Sequence, residues 1–117
     1  MSTELYCIIQ AKITTDDIQS IKAQAKLMKD AAKNEVGVIS YDFFINEEKR
    51  LVFIVEKYAD DQAFLALMEK FMQPEFVPKL LTMQDLTSIE MLGSITEEID
   101  ELFAKGGWAY NSYPLAM

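Results

Sequence analysis

Hydrophobic positions along this chain alternate first and then step. Over residues 4–13 (ELYCIIQAKI), Leu5, Cys7, Ile9, Ala11 and Ile13 fall on one face and Tyr6, Ile8, Gln10 and Lys12 on the other. A period of two with β-branched residues predicts a strand half covered by apolar material. Thr14-Thr15-Asp16-Asp17 supplies capping oxygens and first-turn acids, after which Ile18, Ile21, Ala25, Met28 and Ala32 recur at helical spacing. That helix ends near Asn34, before Gly37. Residues 37–46 (GVISYDFFIN) and 50–58 (RLVFIVEKY) read as an antiparallel hairpin across the polar turn Asn46-Glu47-Glu48-Lys49.

Asp60 is placed to cap a second helix with Ala63, Phe64, Leu67, Met68 and Phe71 on one face. Gln73-Pro74 breaks it and starts a short further turn carrying Phe76, Val77, Leu80 and Leu81. Residues 84–93 (QDLTSIEMLG) read as a fourth strand. Ser94-Ile95-Thr96-Glu97 has capping-box spacing and opens a helix with Ile99, Leu102 and Phe103, which Gly106-Gly107 stops. The remainder, Trp108 to Met117, is aromatic-rich and aperiodic.

The order β-α-β-β-α-β predicts an α+β, ferredoxin-like fold: a four-stranded antiparallel sheet with helices on one face. The chain reads as a single domain, 1–117, with a core over 4–93 and a helix and aromatic tail over 94–117. On the uncovered sheet face the alternation places Tyr6, Ile8, Phe44, Ile54, Tyr58 and Leu92, interleaved with Gln10, Asp42, Glu56 and Glu90. An apolar patch of that size is more than a small monomer exposes, so a homodimer packed sheet against sheet is expected.

Composition narrows the chemistry. The 117 residues are 50% apolar, carry a formal net charge of −8, and include one cysteine and no histidine. Without histidine there is no Ser-His or Cys-His nucleophile pair and no His-ligated zinc or haem; no cofactor and no metal are expected. The acidic balance opposes nucleic acid and anionic membrane surfaces as partners. Lone Cys7 and the lack of a basic, apolar leader fit a cytoplasmic protein.

Two stretches carry a resemblance. Glu35-Val36-Gly37-Val38-Ile39-Ser40-Tyr41 and Phe53-Ile54-Val55-Glu56-Lys57-Tyr58-Ala59-Asp60-Asp61-Gln62-Ala63, continuing to Pro74-Glu75-Phe76, are similar to the motifs of the antibiotic biosynthesis monooxygenase family. That likeness spans most of residues 4–93. It implies a dimeric α/β barrel with a pocket between sheet and helices in each protomer. It also implies oxygenation of quinol-like or polyketide aromatics without metal or flavin, the substrate itself supplying electrons to oxygen. Where the family places histidines, this chain has Leu67 and Glu75.

From these readings Tyr41 and Glu56 are the candidate catalytic residues. Tyr41 either donates a hydrogen bond to a substrate oxygen or packs as a core tyrosine. Glu56 is a general base if desolvated, or else pairs with a cation or a partner chain. Asp42 and Glu90 are an alternative acid/base couple. Tyr41, Phe43, Leu67, Phe71, Phe76, Leu80 and Trp108 are the expected pocket residues for a small apolar or aromatic molecule, a set equally suited to filling a core. Trp108, Tyr110 and Tyr113 are expected to lie over a pocket mouth or across a partner subunit. Three functions remain open on the sequence: a cofactor-free monooxygenase, a non-catalytic binding module, and a stress-related dimer with a filled core. A cavity of a few hundred Å3, the usual size of a ligand site, separates the first two from the third.

Overall fold

The computed structural model describes residues 3–117, in which five strands and four helices follow one another. They are β1 (Leu5–Ile13), α1 (Ile18–Lys33), β2 (Val38–Asn46), β3 (Leu51–Tyr58), α2 (Asp61–Phe71), α3 (Val77–Leu80), β4 (Gln84–Leu92), α4 (Glu97–Gly106) and β5 (Asn111–Tyr113). Asp17 caps α1 by accepting from the amides of Gln19 and Ser20, and Asp60 caps α2 by accepting from Ala63 N at 2.9 Å. At α4 the cap is Thr96, not Ser94, so the capping-box reading starts the helix two residues early. The hairpin turn closes as read, with the amide of Lys49 donating to Asn46 Oδ1 at 2.9 Å.

The sheet order is β2-β3-β1-β4-β5. Its first four strands are antiparallel, with two crossing connections, as the ferredoxin-like reading requires. The fifth strand corrects that reading: β5 pairs parallel to β4, Glu90 against Asn111 and Leu92 against Tyr113. Three exposed residues have no hydrophobic alternation to announce a strand. What delivers them is α4, after which Gly107 turns the chain at φ 73°.

A second correction concerns the two faces of β3. Directly opposed residues in an antiparallel pair project to the same side. The register Cys7↔Glu56 and Ile9↔Ile54 therefore turns Val52, Ile54, Glu56 and Tyr58 toward the helices. All four are buried. Phe53, Val55 and Lys57 take the open face instead, beside Tyr6, Ile8, Asp42, Phe44 and Leu92. Both alternating sets of β3 contain large apolar residues, so its own pattern does not choose; pairing with β1 does. Phe44 and Phe53 stay 58% and 42% exposed on that face.

Two irregularities shift side-chain parity. In β4 the register slips between Gln10 and Ala11, so Ser88 opposes Gln10, Leu86 opposes Ala11 and Thr87 is extra. Ile89 and Met91 above the bulge and Gln84 below it all become buried on the helix side. In β2 the extra residue is Ile39. Between sheet and helices lies the core, with Tyr58 and Phe64 edge to face at 5.2 Å and Tyr41 and Phe71 likewise at 5.5 Å.

Candidate functional site

Three ionisable side chains stand in one row across the helix-facing side of the sheet. Tyr41 on β2 opposes Glu56 on β3, and Glu56 opposes Cys7 on β1. All are buried, Glu56 to 1% exposure. Two residues along β3, Tyr58 donates its hydroxyl hydrogen bond to Glu56 Oε1. The second oxygen, Oε2, is buried with no partner. No lysine or arginine lines the space around it.

The electrostatics follow from that isolation. Burial pushes the Glu56 carboxyl from 4.5 up to about 8, with the Tyr58 hydrogen bond pulling the other way. Burial also drives the Cys7 thiol and the Tyr41 and Tyr58 phenols well above their ordinary values, and the neighbouring Glu56 adds to each. At neutral pH the whole row is therefore predominantly uncharged. Glu56 alone changes state near physiological pH, and a carboxyl poised there can both give and take a proton.

The row floors a cavity between the sheet and the helices. Its walls are Cys7, Ile9, Tyr41, Ile54, Glu56, Gln84, Leu86 and Ile89 from the sheet, and Met28, Phe64, Met68, Met72, Val77, Leu80, Leu81, Phe103 and Trp108 from the helical side. Its volume is about 60 Å3. That is a narrow, overwhelmingly apolar void, smaller than the few hundred Å3 that the sequence reading set as its criterion. Three methionines in the wall have side chains flexible enough to widen it.

Of the residues expected at a pocket, Tyr41, Leu80 and Trp108 line this cavity, together with the candidate Glu56. Phe43, Leu67, Phe71 and Phe76 do not. Phe71 packs on Phe76 at 4.9 Å and meets Tyr41 edge to face, and Leu67 is fully buried, so these side chains fill the neighbouring core. Asp42 and Glu90 face the opposite side of the sheet from Glu56; Lys29 bonds Asp42, and Asn111 donates to Glu90 Oε1 at 3.4 Å. Glu75 is exposed. Trp108 packs against Gly106 and lines the cavity, while Tyr110 bonds Asp100 at 2.7 Å and Tyr113 sits in β5. The polar wall residue the sequence reading missed is Gln84, 2% exposed, with Oε1 unpartnered. A glutamine opening a weakly apolar strand is no signal until the bulge turns it inward. Among the described residues no group of three or more His, Cys, Asp or Glu comes together to hold a metal ion. No helix there is long and apolar enough to cross a membrane.

The same architecture recurs among solved structures. MupZ from Pseudomonas fluorescens superposes with a TM-score of 0.81 at 18% identity, over 100% of this chain and 88% of that one. SnoaB, a cofactor-independent oxygenase from Streptomyces nogalater, matches with a TM-score of 0.65 at 10% identity, over 81% of this chain and 96% of that one. An antibiotic biosynthesis monooxygenase matches with a TM-score of 0.64 at 20% identity, over 79% of this chain and 99% of that one. The chain has the antibiotic biosynthesis monooxygenase fold. No protein-family model matches the sequence, and no curated protein matches it. Of the three structures, MupZ is the one whose likeness extends over the whole of this chain, tail included.

Proposed function

We propose that the protein is a cofactor-independent monooxygenase acting on a small aromatic or quinol-type substrate, and that it works as a homodimer. The observation that carries the reading is Glu56: a carboxyl with one oxygen anchored by Tyr58 and the other unpartnered, in an apolar cavity, with its pKa raised to about 8. A base of that strength is matched to a phenolic proton, which an ordinary carboxylate accepts only weakly. Ionised Glu56 takes that proton; the dry walls keep the phenolate electron-rich and reactive. The phenolate then reduces oxygen. One oxygen atom replaces hydrogen on a ring carbon, the quinol becomes a hydroxyquinone, and the second oxygen atom leaves as water. Tyr41, beside Glu56 in the row, is the orienting donor for the substrate oxygen.

Oxygen uptake with a panel of hydroquinones tests this. Uptake above autoxidation is expected, falling by about 100-fold or more in Glu56→Gln, the usual contribution of a positioned general base. The narrowness of the void, below the size usual for a ligand site, favours a second reading, a stress-related dimer with a filled core. Neither ligand binding nor oxygen uptake by the wild-type protein would establish that alternative.

A further inference from the structure

We infer that Gln84 is a second polar anchor of the cavity, so that its ligand is an elongated, apolar-bodied molecule carrying a hydrogen-bond donor at the end remote from Glu56. The inference rests on the cavity being the ligand site proposed above.

Buried polar atoms are nearly always paired, and an unpaired one costs about 1–3 kcal/mol. This cavity wall contains two such atoms, Glu56 Oε2 and Gln84 Oε1. They belong to different strands and to opposite ends of the site. Glu56 opposes Cys7 on β1, whereas Gln84 opposes Ile13, six residues further along the same strand. At about 3.3 Å per residue those rows are roughly 20 Å apart along the sheet. Between them the sheet supplies only apolar residues to the wall, Ile9, Ile54, Leu86 and Ile89.

That arrangement describes a ligand. A single ring held at Glu56 leaves Gln84 unsatisfied, while two linked rings come within reach of it once Met28, Met68 and Met72 give way to widen the narrow void. The two ends also differ in chemistry. A glutamine carbonyl oxygen only accepts, so it selects a donor such as a hydroxyl. The glutamine is there by construction of the strand: without the bulge at Thr87, residue 84 would share the outward parity of Ser88 and Glu90.

The test is a binding titration under nitrogen, so that it reads the anchor whether or not the protein consumes oxygen. Two probes of nearly equal shape are compared, 4,4′-dihydroxybiphenyl and 4-fluoro-4′-hydroxybiphenyl, which lacks the second donor. Wild-type protein is expected to prefer the diol by about tenfold, the worth of one good buried hydrogen bond. In Gln84→Leu the preference should fall to one or below, because the second hydroxyl of the diol then buries without an acceptor. Gln84→Met, closer in length and flexibility, serves if the leucine variant does not fold. Equal wild-type affinities, a preference that survives in the folded variant, or failure of both probes to bind would each overturn the inference. Loss of the oxygen-uptake activity alone would leave it standing.

Discussion

Glu56 concentrates most of what is testable at the scale of a residue. Its carboxyl titrates near 4.5 when unfolded and near 8 when folded. Between those values the folded state binds the extra proton, so stability attributable to Glu56 is complete below pH 4.5 and is lost as pH rises toward 8. Urea denaturation across pH 5–8 should show a stability difference, wild type minus Glu56→Gln, that declines by about 1.4 kcal/mol per pH unit. A flat difference would return Glu56 to ordinary carboxylate behaviour. Tyr58 acts on the same equilibrium in the opposite sense to burial, its hydrogen bond lowering the Glu56 pKa. In Tyr58→Phe the pH profile of oxygen uptake should therefore move to higher pH, with the limiting rate reached later. A profile that stays put or moves down would remove Tyr58 from the proton-transfer unit. The sequence singles out both residues as a motif and raises desolvation for Glu56 as a condition. It assigns them to the wrong face of the sheet, because alternation within β3 alone has two equally apolar solutions.

At the scale of elements, the motif residues explain one another through contacts. Gly37 joins α1 to β2 at φ 86°, and a Cβ built on it would stand 2.7 Å from the Cβ of Ala63 in α2. Its carbonyl accepts from Ala59 N at 2.8 Å, just ahead of the Asp60 cap. Glu35 before it bonds Lys70 on α2 at 2.9 Å. Glycine at 37 and alanine at 63 are thus two sides of a single close approach. Gly37→Ala should cost about 1–3 kcal/mol in chemical denaturation, from left-handed strain together with overpacking. A neutral outcome would mean that α2 can retreat from the sheet. Helices and hairpin were legible because amphipathic spacing and caps are local signals. The bulge at Thr87 and the strand β5 were not, since each is settled by a neighbour rather than by its own pattern.

For the whole molecule, the open face of the sheet is the outstanding feature. Tyr6, Ile8, Phe44, Phe53, Val55 and Leu92 share it, and two of its phenylalanines remain substantially exposed. Under the proposed homodimer that face meets its copy. Light scattering should give twice the 13.4 kDa of the chain. Phe53→Glu, which forces a charge into the interface, should return the protein to monomer with its fold intact. A monomeric wild type would sink the sheet-to-sheet arrangement, while an unaltered dimer in the variant would move the interface elsewhere. By itself the sequence determined the order of elements through α4, the caps of α1 and α2, the α+β class with helices on one face of the sheet, and the absence of histidine chemistry, because all of these depend on nearby residues or on composition. Only the tertiary structure decided which alternating set of β3 faces inward, that Gln84 joins Glu56 in one cavity, and that Phe43, Phe71 and Phe76 fill the core beside it rather than its wall. Those outcomes depend on register between strands distant in sequence, and a shift of one residue in pairing sends every side chain to the other face.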